Sequence, residues 1–150
     1  MGINVTRMLL GGLVAGVVIN CIEYALHGVV LKEQWAETMQ SMNRNPEPTT
    51  AMIVGFNVRG FSLGVAVIWL YAAIRNRFGP GPSTAITAAM FIWLVGYAGA
   101  MAGPAIQGLF PLSLVLTALA VGSVEIVVAT VLGAAIYKEA AATAAAGAGS

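Results

Sequence analysis

The stretch TRMLLGGLVAGVVINCIEYALHGVVL, residues 6–31, decides the fold class of this chain. An α-helix rises about 1.5 Å per residue, so about 20 apolar residues cross the roughly 30 Å hydrocarbon core of a bilayer. This stretch is long enough, and three further apolar runs cover residues 50–74, 83–103 and 112–137. The sequence therefore predicts an all-α, polytopic membrane protein built as a four-transmembrane-helix bundle.

The composition agrees with a protein that lives in lipid. Hydrophobic residues make up 59% of the 150 positions and charged residues 9%, whereas soluble domains carry about 25% charged residues. We expect one transmembrane domain over residues 1–139 and a flexible Ala/Gly-rich tail over 140–150, with the first helix retained. The net charge of +1 gives no basic field for nucleic acid. The single Cys21 excludes an intramolecular disulfide.

Glycine and proline mark the connections between the later helices. Residues 79–82, with the sequence GPGP, predict a tight turn, with Ser83 or Thr84 as the N-cap of the third helix. The Gly-Pro pair at 103–104 is expected to end that helix, and Pro111 to open the fourth. Small residues recur at helix-packing spacing in three pairs, which are Gly12 with Gly16, Gly60 with Gly64, and Gly99 with Gly103. With 18 glycines in the chain such pairs also arise by chance, so at most they mark faces that pack closely.

Basic residues predict the orientation of the chain. Four of them flank the spans on one side: Arg7, Arg75, Arg77 and Lys138. Only two flank the spans on the other side: Lys32 and Arg44. Because cytoplasmic loops are richer in Lys and Arg, both termini are expected in the cytoplasm.

The larger outside loop, KEQWAETMQSMNRNPEPTT at residues 32–50, carries Trp35, Met39 and Met42 at helical spacing. This pattern favours a short amphipathic helix on the outer leaflet with Trp35 as its anchor. The alternative is a plain connecting helix that covers the mouth of the bundle. Both interpretations stay open at this point.

Polar side chains inside the apolar runs are the chemically informative feature. Asn20, Glu23 and His27 share one face of the first helix. The second helix runs the opposite way and carries Asn57 and Arg59. Glu23 and Arg59 both lie roughly 12–14 Å below the outer surface, at about 1.5 Å per residue. An unpaired arginine at that depth would cost roughly 2.5–3.5 kcal/mol.

We therefore predict a buried ion pair between Glu23 and Arg59. Asn20 and Asn57 are expected to fill its remaining hydrogen-bonding positions, with His27 one turn nearer the outer mouth. Glu125 lies close to the middle of the fourth helix, and no second basic residue is available to neutralise it. It should hold a proton at neutral pH or share Arg59, because burial favours the neutral acid.

Two main functional interpretations follow for these candidate ligand- or proton-binding residues. In the leading one the polar core is structural, and the chain is a structural or accessory subunit of a membrane assembly. In the alternative the chain is a proton-coupled or ion- or small-ligand-binding transporter that acts as a homo-oligomer, with Glu125 as the titrating site and His27 as gate or relay. A third role, His27 as a haem or metal ligand, would need a second subunit, since one histidine and one cysteine cannot complete a site.

Motifs of ordinary enzymes are missing from the sequence. There is no Asp, no phosphate-binding loop and no paired motif with metal-ligand spacing. The sequence thus predicts no catalytic residue and no metal site, and it leaves any cofactor open. An enzyme would require a lipid-soluble substrate. Five aromatic residues are interpreted as interface anchors: Tyr24, Trp69, Tyr71, Trp93 and Tyr97.

Three segments resemble a group of short bacterial four-helix inner-membrane proteins of the domain-of-unknown-function type. They are VIWLYAAIRNRFGPGPSTAITAAMFIWLVGY at 67–97, EQWAETM at 33–39 and GAAIYKE at 133–139. The resemblance implies a bacterial cytoplasmic membrane and an uncleaved first helix. It implies no catalytic residues.

Overall fold

The computed structural model describes residues 2–137, and within that range the chain is all-helical. Four helices of the described range are long and apolar enough to cross a membrane, as expected of a multi-pass membrane protein. They are span 1 (Val5–Val30), span 2 (Thr50–Phe78), span 3 (Pro82–Ile106) and span 4 (Leu112–Ile136). Lys138 and the tail over residues 140–150 lie outside the described residues.

The bounds of span 3 differ from the prediction at both ends. Its N-cap is Gly81, with Pro82 at the first helical position, and neither Ser83 nor Thr84 caps it. Gly81 takes a positive φ of 131°, and proline at this position needs no N–H partner. The Gly-Pro pair at 103–104 does not end the helix either, because a proline in the last turns removes one hydrogen bond without breaking the remainder.

Two π-helical segments interrupt the spans, and hydropathy gave no sign of them. Residues Tyr24–Val30 form the last part of span 1, and Trp93–Ala98 form the middle of span 3. In a π-helix each N–H bonds to the carbonyl five residues back, as Leu31 N does to Leu26 O at 2.7 Å. The wider turn rotates the following side chains relative to a continuous α-helix.

Spans 1 and 2 make backbone contact at glycines. A side chain at Gly64 would overlap the backbone of Gly12 and Gly16, so these predicted small-residue positions do lie at an interface. Gly60 also lies in close contact with span 1, beneath the side chain of Asn20. The third pair makes no such contact between spans, because a Cβ placed on Gly103 would meet nothing of residues 2–137 within 4 Å apart from its own helix backbone and its chain neighbours. Span 4 contacts all three other spans.

The two ends of the molecule are distinct. At one, which we call the terminal end, Asn4 N donates to the Tyr137 hydroxyl at 3.3 Å. The Arg75 guanidinium lies over the rings of Tyr71 and Tyr137, 5.6 and 5.1 Å from their centroids. At the other, the connector end, the helix Lys32–Ser41 joins spans 1 and 2. Each span therefore runs antiparallel to the one before it.

The connector helix Lys32–Ser41 packs on the ends of spans 1 and 4. Leu26, Leu31 and Leu114 form a buried apolar cluster with Trp35 packed against it, and the rings of Trp35 and Phe110 form a T-shaped pair with centroids 5.4 Å apart. Trp35 is thus half-buried against the protein. These contacts are those of a connecting helix, and a place in the outer leaflet remains a prediction.

Candidate functional site: a polar cluster inside the spans

The ion pair predicted from the sequence is present. Arg59 Nη1 lies 2.6 Å from Glu23 Oε1. The pair is unequally buried, since the Glu23 side chain is 11% exposed and that of Arg59 is 39% exposed. Glu23 ends the α-helical part of span 1, so the carboxylate lies where the first π-helical segment begins.

Tyr97 completes this pair, a contact that no sequence pattern had indicated. Its hydroxyl donates to Glu23 Oε1 at 2.9 Å, and the Arg59 guanidinium carbon lies 4.9 Å from the ring centroid. Tyr97 is only 5% exposed, so its interpretation as an interface anchor is wrong. Depth was the signal that could have found it: Tyr97 lies nine residues from the end of span 3 at Ile106, and Arg59 nine from the start of span 2 at Thr50.

The two asparagines do not take part in the ion pair, contrary to the prediction. Asn20 Nδ2 donates to the carbonyls of Gly16 at 2.9 Å and of Asn57 at 3.3 Å. Asn57 Nδ2 donates to Ile53 O at 2.9 Å, and its side chain is exposed. Short amide side chains readily bond to a carbonyl one turn back on their own helix. That geometry keeps them away from Glu23, and Tyr97 supplies the missing donor.

Glu125 is the exceptional residue of the cluster. It is 1% exposed, and its Oε2 atom is buried without a hydrogen-bond partner among residues 2–137. The arginine that it was expected to share bonds to Glu23 instead. One turn away on the same face of span 4 lies Gly122, and a Cβ there would come within 2.9 Å of the Tyr97 ring. Tyr97 therefore rests on span 4 beside Glu125.

The charges within this cluster do not balance when Glu125 is ionised. Glu23 and Arg59 neutralise each other, which leaves the Glu125 carboxyl buried with no cation of the described residues in contact. Transfer of an isolated carboxylate from water into an apolar interior is strongly unfavourable. The arrangement therefore favours a Glu125 carboxyl that carries a proton.

His27 lies away from the ion pair, toward the connector end. Its Nδ1 accepts a hydrogen bond from Trp35 Nε1 at 2.9 Å, and the ring centroids are 5.7 Å apart. Since Nδ1 accepts, the neutral imidazole carries its proton on Nε2. Among residues 2–137 no three His, Cys, Asp or Glu side chains gather as a metal site would require. A haem or metal role for His27 would still depend on a second subunit.

Two apolar grooves on the outside of the molecule are separate from this cluster. One of about 580 Å³ runs along span 2 between Val58 and Trp69, with Met8 at its side. A smaller one of about 220 Å³ lies between spans 2 and 3 at Ile74 and Phe91. Neither is lined by Glu23, Arg59 or Glu125.

Comparison of the chain with protein-family models, curated proteins and solved structures gives no match. The geometry of the polar cluster is therefore the basis for assigning a function. Its chemistry is limited to proton binding and hydrogen bonding: two carboxyls, one permanent cation and one phenol, held on four different spans.

Proposed function

We propose that this chain is a proton-coupled membrane protein in which Glu125 binds and releases the proton. The observation that carries the proposal is Glu125 itself, a carboxyl 1% exposed whose Oε2 has no partner within the described range. An unsatisfied buried acid destabilises a fold, so a purely structural role gives no reason to keep it. Ionisable residues inside a membrane span mark proton and ion pathways.

The proton is the ligand that fits this site best. A metal cation would need several oxygen or nitrogen ligands, and no such group of acidic, His or Cys side chains surrounds Glu125 within the described part of the chain. A larger ligand would need more room than the 1% exposed side chain of Glu125 offers, and neither apolar groove described above is lined by Glu125. A proton needs only the carboxyl oxygen and an intermittent path for water.

A second candidate is the structural or accessory subunit. The observation that favours it is the satisfied part of the cluster, where Glu23, Arg59 and Tyr97 join spans 1, 2 and 3 through two hydrogen bonds. Such polar contacts between membrane helices contribute about 0.6–2 kcal/mol each. This role accounts for Glu23, Arg59 and Tyr97 but leaves Glu125 without a purpose.

The proposed setting is the cytoplasmic membrane of a bacterium, with the four spans as a bundle that assembles as a homo-oligomer. The resemblance of residues 67–97 to short bacterial inner-membrane proteins supports the compartment. The count of basic residues at the terminal end supports cytoplasmic termini. The connector helix would then lie outside the cell. A membrane-impermeant reagent added to intact cells would reach Lys32 at the connector end but not Arg7 at the terminal end.

Proton flux through reconstituted protein tests the proposed function. The purified chain is placed in vesicles, a pH gradient is applied, and internal pH is followed with a trapped dye. We expect flux in the wild type and its loss in Glu125→Gln. The matched control is Glu37→Gln, at an exposed position of the connector helix, which should keep full flux. Wild-type vesicles no leakier than empty ones, or a Glu125→Gln variant as active as the wild type, would support the structural role instead.

A further inference from the structure

We propose that Tyr97 carries protons between Glu23 and Glu125, so that Glu23 exchanges with water at the connector side and Glu125 exchanges only through the phenol. This inference rests on the proposed function, because it names the route by which the buried acid is loaded. Three groups on three spans take part in it: Glu23, Tyr97 and Glu125.

The two acids differ in how far the rest of the protein covers them. Glu23 keeps 11% of its side chain exposed, and its partner Arg59 keeps 39%. Glu125 is 1% exposed. The route therefore begins at Glu23, beside the exposed guanidinium of Arg59, whereas Glu125 has no comparable contact with the outside of the described chain.

The phenol of Tyr97 bonds to one acid and lies against the span that carries the other. Its hydroxyl donates to Glu23 Oε1 at 2.9 Å, and the hydroxyl end of its ring lies against Gly122, one turn from Glu125 on the same face of span 4. A tyrosine hydroxyl both donates and accepts, so it can bond to one carboxyl while it receives a proton from the other. Tyr97 thus combines the required position with the required chemistry.

Proton transfer along this route keeps atoms and charges balanced. The transfer starts after Glu125 has released its proton and the Tyr97 hydroxyl, which donates to Glu23 Oε1 at rest, has turned toward span 4. A proton on Glu23 Oε1 then passes to the phenol oxygen as the phenol's own proton passes through a water molecule to Glu125 Oε2. One O–H bond breaks at Glu23 and one forms at Glu125, while the phenol and the water each lose one and gain one, so Tyr97 ends neutral as it began. Glu23 returns to a carboxylate beside Arg59, whose positive charge stabilises it.

The backbone supports this assignment independently. Tyr97 lies in the π-helical segment Trp93–Ala98, and Glu23 immediately precedes the segment Tyr24–Val30. Single π-helical turns occur frequently at functional sites. Within residues 2–137, the hydrogen bond that begins the route thus joins a residue of one π-helical segment to the residue that precedes the other.

Infrared spectroscopy in deuterated water tests the route apart from the function. A protonated carboxylic acid has a carbonyl band distinct from that of a carboxylate, and its frequency shifts when the proton is replaced by deuterium. Loss of the band in Glu125→Gln assigns it to Glu125. The rate of the shift after transfer to deuterated water then reports how quickly protons reach this group.

We expect the band to shift about 100-fold more slowly in Tyr97→Phe, the contribution typical of one positioned proton-transfer group. This variant keeps the aromatic ring on Gly122 and removes only the hydroxyl. The control is Trp93→Phe, one turn away, which removes the indole hydrogen bond to Leu119 O and replaces the indole with a smaller ring, without touching the Tyr97 hydroxyl. Gly122→Ala serves as a second variant, because its Cβ would displace the ring that carries the hydroxyl. It too should slow the shift.

The outcomes separate the two proposals. The route is overturned if the Glu125 carbonyl band shifts as fast in Tyr97→Phe and Gly122→Ala as in the wild type. The proposed function is unaffected by that result, because the band still shows a protonated Glu125. Absence of any Glu125 carbonyl band at neutral pH overturns the proposed function, and the route with it. Slowing in both variants with normal exchange in Trp93→Phe supports the route.

Discussion

The two halves of span 2 are held in the molecule in different ways. Toward the terminal end the helix lies on span 1 with backbone in contact with backbone, at Gly64 against Gly12 and Gly16. Toward the connector end every residue from 50 to 58 is exposed, and a Cβ on Gly55 would meet no described atom within 4 Å. Between them lies Arg59, which binds Glu23.

The close backbone contacts and the polar cluster therefore lie in different parts of the molecule. Close-packed interiors tolerate little displacement, so the glycine contacts fix the terminal half of spans 1 and 2. In the connector half the same two spans are joined by the ion pair of Glu23 with Arg59 and by the hydrogen bond from Asn20 to the Asn57 carbonyl. The polar cluster lies at this boundary, with the glycine backbone contacts on one side and the exposed residues 50–58 of span 2 on the other.

The same substitution in the two halves should give the largest contrast. Gly64→Ala places a Cβ into the backbone of span 1 and should lower the free energy of unfolding by about 3 kcal/mol or more. The Cβ of Gly55→Ala points into open space, so this substitution should raise the free energy of unfolding by up to about 1 kcal/mol, because alanine has the higher helix propensity. Thermal or steric-trap unfolding in detergent measures both. Equal effects at the two positions would mean that the two halves of span 2 are packed against the protein in the same way.

Loss of the ion pair should have an intermediate effect. Arg59→Met leaves Glu23 without its counter-charge and should destabilise by about 2 kcal/mol, less than for a fully buried pair because Arg59 is 39% exposed. Adding Glu23→Gln to this variant should restore most of the lost stability, because the unpaired carboxylate is then gone. Arg77→Met, at an exposed position near the terminal end, is the control. An Arg59→Met protein as stable as Arg77→Met would mean that the pair does not hold the connector half.

The smallest effect is expected at the connector helix. Trp35→Phe removes the hydrogen bond to His27 Nδ1 but keeps an aromatic ring near Phe110. One neutral hydrogen bond contributes about 1 kcal/mol, so amide hydrogen exchange in Lys32–Ser41 should become about fivefold faster. Trp69→Phe, in the outer groove, should leave that exchange unchanged. Faster exchange throughout the spans as well would show that the connector helix is not a separately held element.

Hydropathy and spacing predicted the parts of this fold that depend on length and charge. The four spans follow from apolar runs, and the Glu23–Arg59 pair follows from two opposite charges at equal depth. Gly12, Gly16 and Gly64 were recognised as candidates by their spacing. Each of these features can be read from the order of residue types along the chain.

The rest depends on how the helices are rotated about their axes. In lipid both the outer and the inner faces of a helix are apolar, so periodicity does not say which face points inward. Tyr97 was therefore assigned to the interface, and Asn57 to the cluster. The π-helical segments change which face of the helix points inward part-way along spans 1 and 3. No residue pattern predicts these segments. The capping of span 3 by Gly81 was missed because serine and threonine are the commoner caps.

If Glu125 is retained for proton binding, it should weaken the fold that contains it. The free energy of unfolding of Glu125→Met tests this relation, because methionine has nearly the same volume and no polar atom to satisfy. We expect a gain of about 1–3 kcal/mol over the wild type. A loss of stability of that size would show that Glu125 holds the helices together, and would contradict its assignment as a proton-binding site kept at a cost to stability.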